Sequence, residues 1–154
     1  LDDNGDVLLR FQGGARGILT TSQISTGQEN SLRIRVWGTK GGFEWIQEEP
    51  NFLYVLHADQ PTQIYKPGNG YNCPAAAANH RLPAGHPEAF LEAFANLYRN
   101  FCDTIRARKL GIQPTEIMLD FPTVVDGARG VFFINKVVES ASSSEKWTPA
   151  VFRM

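Results

Sequence analysis

The sequence has little of what most catalytic sites are built from. It holds two cysteines, Cys73 and Cys102, and three histidines, His57, His80 and His86. No Cys or His spacing matches a zinc site, so no metal centre is expected. The two cysteines lie in unlike segments, one in a loop and one on a predicted helix, which fits reduced thiols better than a disulfide. Neither sign of charge is in excess: 15 Lys and Arg stand against 16 Asp and Glu, a formal net charge of −1. Non-specific nucleic-acid binding runs on surplus cations, so no nucleic-acid partner is expected. No apolar run reaches about 18 residues, so no membrane helix is predicted and a cytoplasmic location is expected. The opening Leu1-Asp2-Asp3-Asn4-Gly5-Asp6 is acidic and polar, unlike a secretory leader. Nucleotide-binding and hydrolase signatures are missing as well. There is no P-loop, G-x-S-x-G or H-E-x-x-H, and Gly68-Asn69-Gly70 leads to Cys73 where a dinucleotide fingerprint needs a third glycine.

What is present is a globular pattern. Hydrophobic residues make up 42% and charged residues 20% of 154 residues. That is the size and composition of one ordinary domain, spanning 1–154. Because the first residue is Leu1 and not Met, the chain is expected to be a piece of a longer one.

The first half reads as strands. Asp6–Gln12 and Ala15–Gln23 flank Gly13-Gly14, and a two-residue hairpin loop there would set Leu9 opposite Ile18 and Leu8 opposite Leu19. In Ser31–Trp37, Leu32, Ile34 and Val36 alternate with Arg33, Arg35 and Trp37, the strand period of two. A turn at Gly38-Thr39-Lys40-Gly41 then sets Ile34 against Trp45, Val36 against Phe43 and Arg35 against Glu44. Further strands follow at Phe52–His57 and Gln63–Tyr65.

From Pro67 to Pro87 the period disappears for about 20 residues, a length at which a loop in a compact domain is usually functional. A helix is predicted from Pro87, with Phe90, Leu91, Phe94, Leu97, Tyr98, Phe101 and Ile105 as its apolar stripe and Gly111 as its stop. A second begins at Thr123, capped by Thr123 with Asp126. Val124, Val125, Ala128, Val131, Phe132, Asn135 and Val138 are expected to form its buried face. The fold class is therefore α+β: an open antiparallel sheet of about six strands with two main helices packed on one face. The other face would carry Arg33, Arg35 and Trp37. Arg and aromatic side chains are enriched at interfaces, so a homo-oligomer through that face is expected.

Candidate binding residues concentrate in the long loop. His86, in Gly85-His86-Pro87-Glu88, either caps the following helix or hydrogen-bonds a polyol or carbonyl substrate. Arg81 and Tyr71 suit a hydroxyl-rich ligand as well as they suit ordinary surface. Gln23 and Ser25, where a strand meets a loop, are weaker candidates, and His57 reads as structural. No set of residues reads as catalytic.

The order of short motifs carries a resemblance. Phe11-x-Gly13-Gly14-Ala15-x-Gly17, Ser22-Gln23-Ile24-Ser25, Trp37-Gly38-Thr39-Lys40-Gly41 and Trp45-x-Gln47-Glu48-x-Pro50-Asn51 come first. Arg81-Leu82-Pro83-x-Gly85-His86-Pro87-Glu88, Phe121-Pro122-Thr123-x-x-Asp126-Gly127 and Trp147-Thr148-Pro149 follow. Over nearly its whole length the chain resembles the C-terminal domain of the Gfo/Idh/MocA oxidoreductases, NAD(P)-dependent sugar and inositol dehydrogenases. The resemblance implies a subunit in which an N-terminal Rossmann domain holds NAD or NADP. The C-terminal α+β domain lines the sugar or polyol side and oligomerises through its open sheet. The family's glycine-rich loop and E-K-P lysine are absent; Glu145-Lys146-Trp147 only approaches the latter. Its D-x-x-x-H pair is absent too, since Leu53, Ala76 and Leu82 stand four residues before the three histidines. The parent is thus expected to be an NAD(P)-dependent oxidoreductase acting on a CH–OH group. This piece is expected to bind no cofactor and to be inactive alone. The alternative is a stand-alone, non-enzymatic oligomerising or ligand-binding module.

Overall fold

A computed structural model describes residues 3–153. In chain order the elements are β1 (Asn4–Arg10), β2 (Arg16–Ser22), β3 (Arg33–Gly38), β4 (Gly41–Ile46), β5 (Leu53–Leu56), β6 (Gln63–Tyr65), α1 (Pro74–Ala78), α2 (Phe90–Lys109) and α3 (Val124–Ala141). The α+β class is as expected. The strands, however, form two antiparallel sheets rather than one: β1-β2, and β3-β4-β5-β6. Two residues in left-handed conformation, Gly27 (φ 83°) and Ser31 (φ 49°), interrupt the extended backbone between β2 and β3. The chain divides into two compact units, Leu1–Glu29 with Pro122–Met154, and Asn30–Phe121.

In the first unit, β1 and β2 pair with Leu8 opposite Ile18 and Leu9 opposite Gly17, one residue away from the register a two-residue loop would give. The turn explains the shift. Phe11 N–H donates to Ala15 O and Gly14 N–H to Phe11 O, so the loop is Gln12-Gly13-Gly14 with Gly14 at φ 89°. This is the three-residue hairpin that ends in a left-handed glycine. Helix α3 starts as predicted: Asp126 Oδ2 accepts from Thr123 N and Oγ1 at 2.9 and 2.7 Å. Its apolar face is not buried, however. Val124, Val131 and Val138 are all exposed, and no residue of the helix is buried. The C-terminal tail is held by rings, with Arg10 stacked 3.9 Å from Trp147 and Phe152 edge-on to Phe132 at 5.5 Å.

In the second unit the β3–β4 register is the expected one, Ile34 opposite Trp45 and Val36 opposite Phe43. Gly41 is required there. At φ 154° it comes so close to β5 that a Cβ would lie 2.6 Å from Leu56 O. The ion pair on this sheet is diagonal, Arg33 Nε to Glu44 at 3.4 Å, while Arg35 stacks over Trp37 at 5.2 Å. Both faces of β3 are open: Ile34, Val36 and Trp37 are 57, 56 and 66% exposed. The Ile34/Val36 side is therefore not the covered side that alternation suggested.

Helix α2 reverses the expectation for an amphipathic helix. Its stripe from Phe90 to Ile105 is exposed, and its buried residues are Asn96, Asn100, Thr104 and Ala107. These share one face at helical spacing. They work as donors to chain that has no ladder of its own. Asn96 Nδ2 donates to Asn79 O at 2.8 Å, Asn100 Nδ2 to Asp120 O at 3.0 Å and Thr104 Oγ1 to Met118 O at 2.7 Å. Buried carbonyls must be paired, so irregular segments on either side are fastened to α2 by polar side chains. The helix ends at Gly111 (φ 70°), with Ile112 N–H returning to Ala107 O at 2.9 Å.

The accessible surface is 12624 Å². Many of the large hydrophobic side chains lie exposed on these faces.

Gly41→Ala should lower stability by more than about 1 kcal/mol, because backbone strain and a clash with a carbonyl act together. Gly13→Ala, with nothing within 4 Å of the new methyl, should be close to neutral. Denaturation midpoints of the two variants compare them directly.

Candidate functional site

The segment from Pro67 to Pro87 is built rather than slack. It contains a short helix, α1, that the sequence pattern did not suggest. Asn69 and Asn72 shape its first turn: Asn69 N donates to Asn72 Oδ1 at 2.9 Å, and both side-chain amides donate to Lys66 O, at 3.2 and 3.1 Å. Such side-chain mimicry of backbone is what Asn offers in turns. Asn79 closes α1 by donating to Ala75 O at 3.0 Å, and its own carbonyl is taken by Asn96 of α2.

The centre of the second turn is Glu88, 8% exposed. Its Oε1 accepts from the backbone N–H of Arg81 at 2.6 Å and of Leu82 at 2.9 Å, and its Oε2 takes Arg81 Nη1 at 3.3 Å. His80 Nδ1 lies 3.7 Å from Oε1, on a side chain only 6% exposed, and His80 Nε2 is buried without a hydrogen-bond partner. The other flank of that ring meets Gly68, where a Cβ would lie 3.1 Å from Nε2. Glu88 N–H donates to Asn51 Oδ1 at 3.1 Å, so the turn is also tied to the loop before β5. Burial opposes ionisation of Glu88. The Arg81 and Leu82 N–H groups, with His80 and the Arg81 guanidinium beside it, outweigh it and hold the carboxyl below the ordinary carboxylate range.

Arg81 and His86 lie on this one turn. His86 is exposed and does not cap α2; its ring Nδ1 and backbone N–H both point to Pro83 O, at 3.2 and 3.1 Å. Helix α2 begins at Phe90, three residues after Pro87, and Glu92 satisfies the Ala89 N–H at 2.9 Å. Tyr71 belongs to the first turn instead. Its hydroxyl accepts from Lys66 N at 3.1 Å and its ring meets Tyr65 edge-on at 5.1 Å. Gln23 and Ser25 serve the end of the first hairpin: Gln23 N–H donates to Asp3 O at 2.7 Å and Ser25 Oγ to Ser22 Oγ at 2.9 Å. His57 packs against Gly41. Cys73 and Cys102 are both free and exposed.

Glu88, His80 and Asn51 are the residues that sequence reasoning did not select. The one legible signal was an acid just ahead of an apolar helical stripe, which ordinarily reads as a partner for the helix dipole.

Residues 1–149 match a family described as the oxidoreductase family, C-terminal alpha/beta domain. The uncharacterized oxidoreductase YfiI of Bacillus subtilis (strain 168) is 33% identical over 147 residues, which is 96% of this chain and 37% of that protein. An oxidoreductase of Sinorhizobium meliloti superposes with a TM-score of 0.88 at 38% identity, covering 97% of this chain and 42% of the other. An inositol dehydrogenase homologue from Azotobacter vinelandii, complexed with NADH and myo-inositol, superposes with a TM-score of 0.83 at 34% identity, covering 91% and 37%. The chain thus spans well under half the length of these relatives.

Glu88 supplies a pH signature. A carboxyl depressed by folding adds stability above its unfolded pKa and loses it as pH falls through the folded value. The stability of the wild-type protein should therefore fall on acidification from about pH 5 downward. Glu88→Gln should be less stable at neutral pH and flatter over that range. Thermal unfolding measured against pH reads both.

Proposed function

The chain belongs to the Gfo/Idh/MocA oxidoreductase family as its C-terminal alpha/beta domain, and on that premise we propose that residues 1–154 form the single substrate-side and assembly domain of a larger dehydrogenase. The parent subunit uses NAD or NADP and oxidises a CH–OH group of a sugar, inositol or related polyol, or reduces the corresponding carbonyl. The observation that carries this reading is the likeness to the inositol dehydrogenase homologue solved with NADH and myo-inositol.

The residues described here do not fit a dinucleotide. A nicotinamide cofactor is ordinarily seated where a glycine-rich turn leads from a parallel strand to a helix N-terminus. The strand pairs here are antiparallel. The N-termini of both long helices already hold carboxylates, Glu92 at α2 and Asp126 at α3. A pyrophosphate would meet negative charge at either. On this reading another part of the subunit supplies the cofactor site and the proton-transfer groups.

The role left to this chain is recognition and assembly. The turn holding Arg81 and His86 is fixed from behind by Glu88 and open in front, which suits hydrogen bonding to substrate hydroxyls. Tyr71 would contribute from the neighbouring turn. The apolar side of β3–β4, with Ile34, Val36 and Phe43, would pack on the rest of the subunit. The Arg33/Arg35/Trp37 side would pack on a second copy.

In the full-length enzyme, His86→Ala should raise KM more than it lowers kcat; unchanged kinetics would remove His86 from the site. Titration of the 154-residue chain with NAD or NADP should show no binding, and measurable binding would favour an independent module. Sedimentation of the full-length protein should show a dimer or larger, weakened by Trp37→Glu. A monomer at high concentration counts against assembly through this sheet.

A further inference from the structure

Arg81 is a guanidinium with 38% of its side chain exposed, and its counter-ion, Glu88, is 7% exposed. An ordinary surface pair exchanges partners with solvent and with passing ions. This one is fixed on the acidic side, because the two backbone N–H groups of Arg81 and Leu82 hold the carboxylate in place. One prong of the guanidinium is therefore occupied, and its charge faces a carboxylate at 3.3 Å. A free arginine selects carboxylates and phosphates, because its planar fork matches two anionic oxygens. An arginine already matched to a carboxylate keeps N–H donors while much of its charge is offset. A hydroxyl needs one such donor; an anion entering there would meet the field of the Glu88 carboxylate.

We propose that Glu88 is a specificity-determining residue: by keeping Arg81 paired it makes this turn a donor for uncharged hydroxyls and turns anionic sugars away. The assignment rests on the reading that this turn faces the substrate.

The test uses the full-length enzyme with its nicotinamide cofactor. It measures kcat/KM for myo-inositol and for glucuronate, or the inhibition constant for a compound that is not turned over. Glu88→Gln should raise the glucuronate-to-inositol ratio by about tenfold or more, the difference between a neutral and a charge-assisted hydrogen bond. Adding Arg81→Gln to that variant should return the ratio toward wild type. Glu88→Asp keeps the charge but draws it back from the guanidinium. It should shift the ratio the same way, and it serves where the Gln variant does not fold. If both Glu88 variants lose the two substrates in equal proportion while Arg81→Gln alone raises KM, Glu88 only supports the turn and the assignment is overturned. If Arg81→Gln alone leaves KM unchanged for both compounds, the turn does not face the substrate and both readings fall.

Discussion

A charge carried almost out of water organises the turn that carries Arg81 and His86. A buried carboxylate persists only if donors replace the water it gave up. Glu88 recruits them from two places, the backbone of the turn at Arg81 and Leu82 and the guanidinium of Arg81, and the ring of His80 lies 3.7 Å away. Its own backbone N–H reaches Asn51 beside the sheet. The turn that carries the exposed His86 has its shape because this acid needs partners. In a segment without regular structure, that need supplies the order that a backbone ladder supplies elsewhere.

The same constraint explains the inverted helix. Unladdered chain near residues 79 and 118–120 presents carbonyls that must be paired, and α2 pairs them with Asn96, Asn100 and Thr104. Once that face is spent on polar fastening, the aromatic and aliphatic stripe is left on the outside. Helix α3 and both sides of β3 are open in the same way. Exposed apolar surface on this scale exceeds what an ordinary solvated surface carries. It is consistent with a chain that spans 37% of the length of a relative it matches over 96% of its own.

What could be read without a structure follows from distance along the chain. The β3–β4 register, the Thr123–Asp126 cap and the stop at Gly111 each depend on residues a few positions apart, and each was legible. The first hairpin slipped by one because the adjacent glycines allow a two- or a three-residue loop, and only the backbone shows that Gly14 alone is left-handed. Helix α1 was hidden because Pro74–Ala78 is too short to show a period. Within the candidate site, Arg81, His86 and Tyr71 could be named by chemistry. The separation of Tyr71 into another turn, and the part played by Glu88, His80 and Asn51, could not.

The sequence by itself determined the class of the fold, the family and the absence of a nucleotide fingerprint, since these are written in composition, local period and motif order. Tertiary structure alone decided which face of each element is covered and which charge holds the turn of Arg81 and His86. Periodicity reports that a face is apolar, not what lies against it. A polar ladder such as Asn96, Asn100 and Thr104 displaces an apolar stripe from the interior only when distant carbonyls, paired across 14 to 20 residues, are brought beside it.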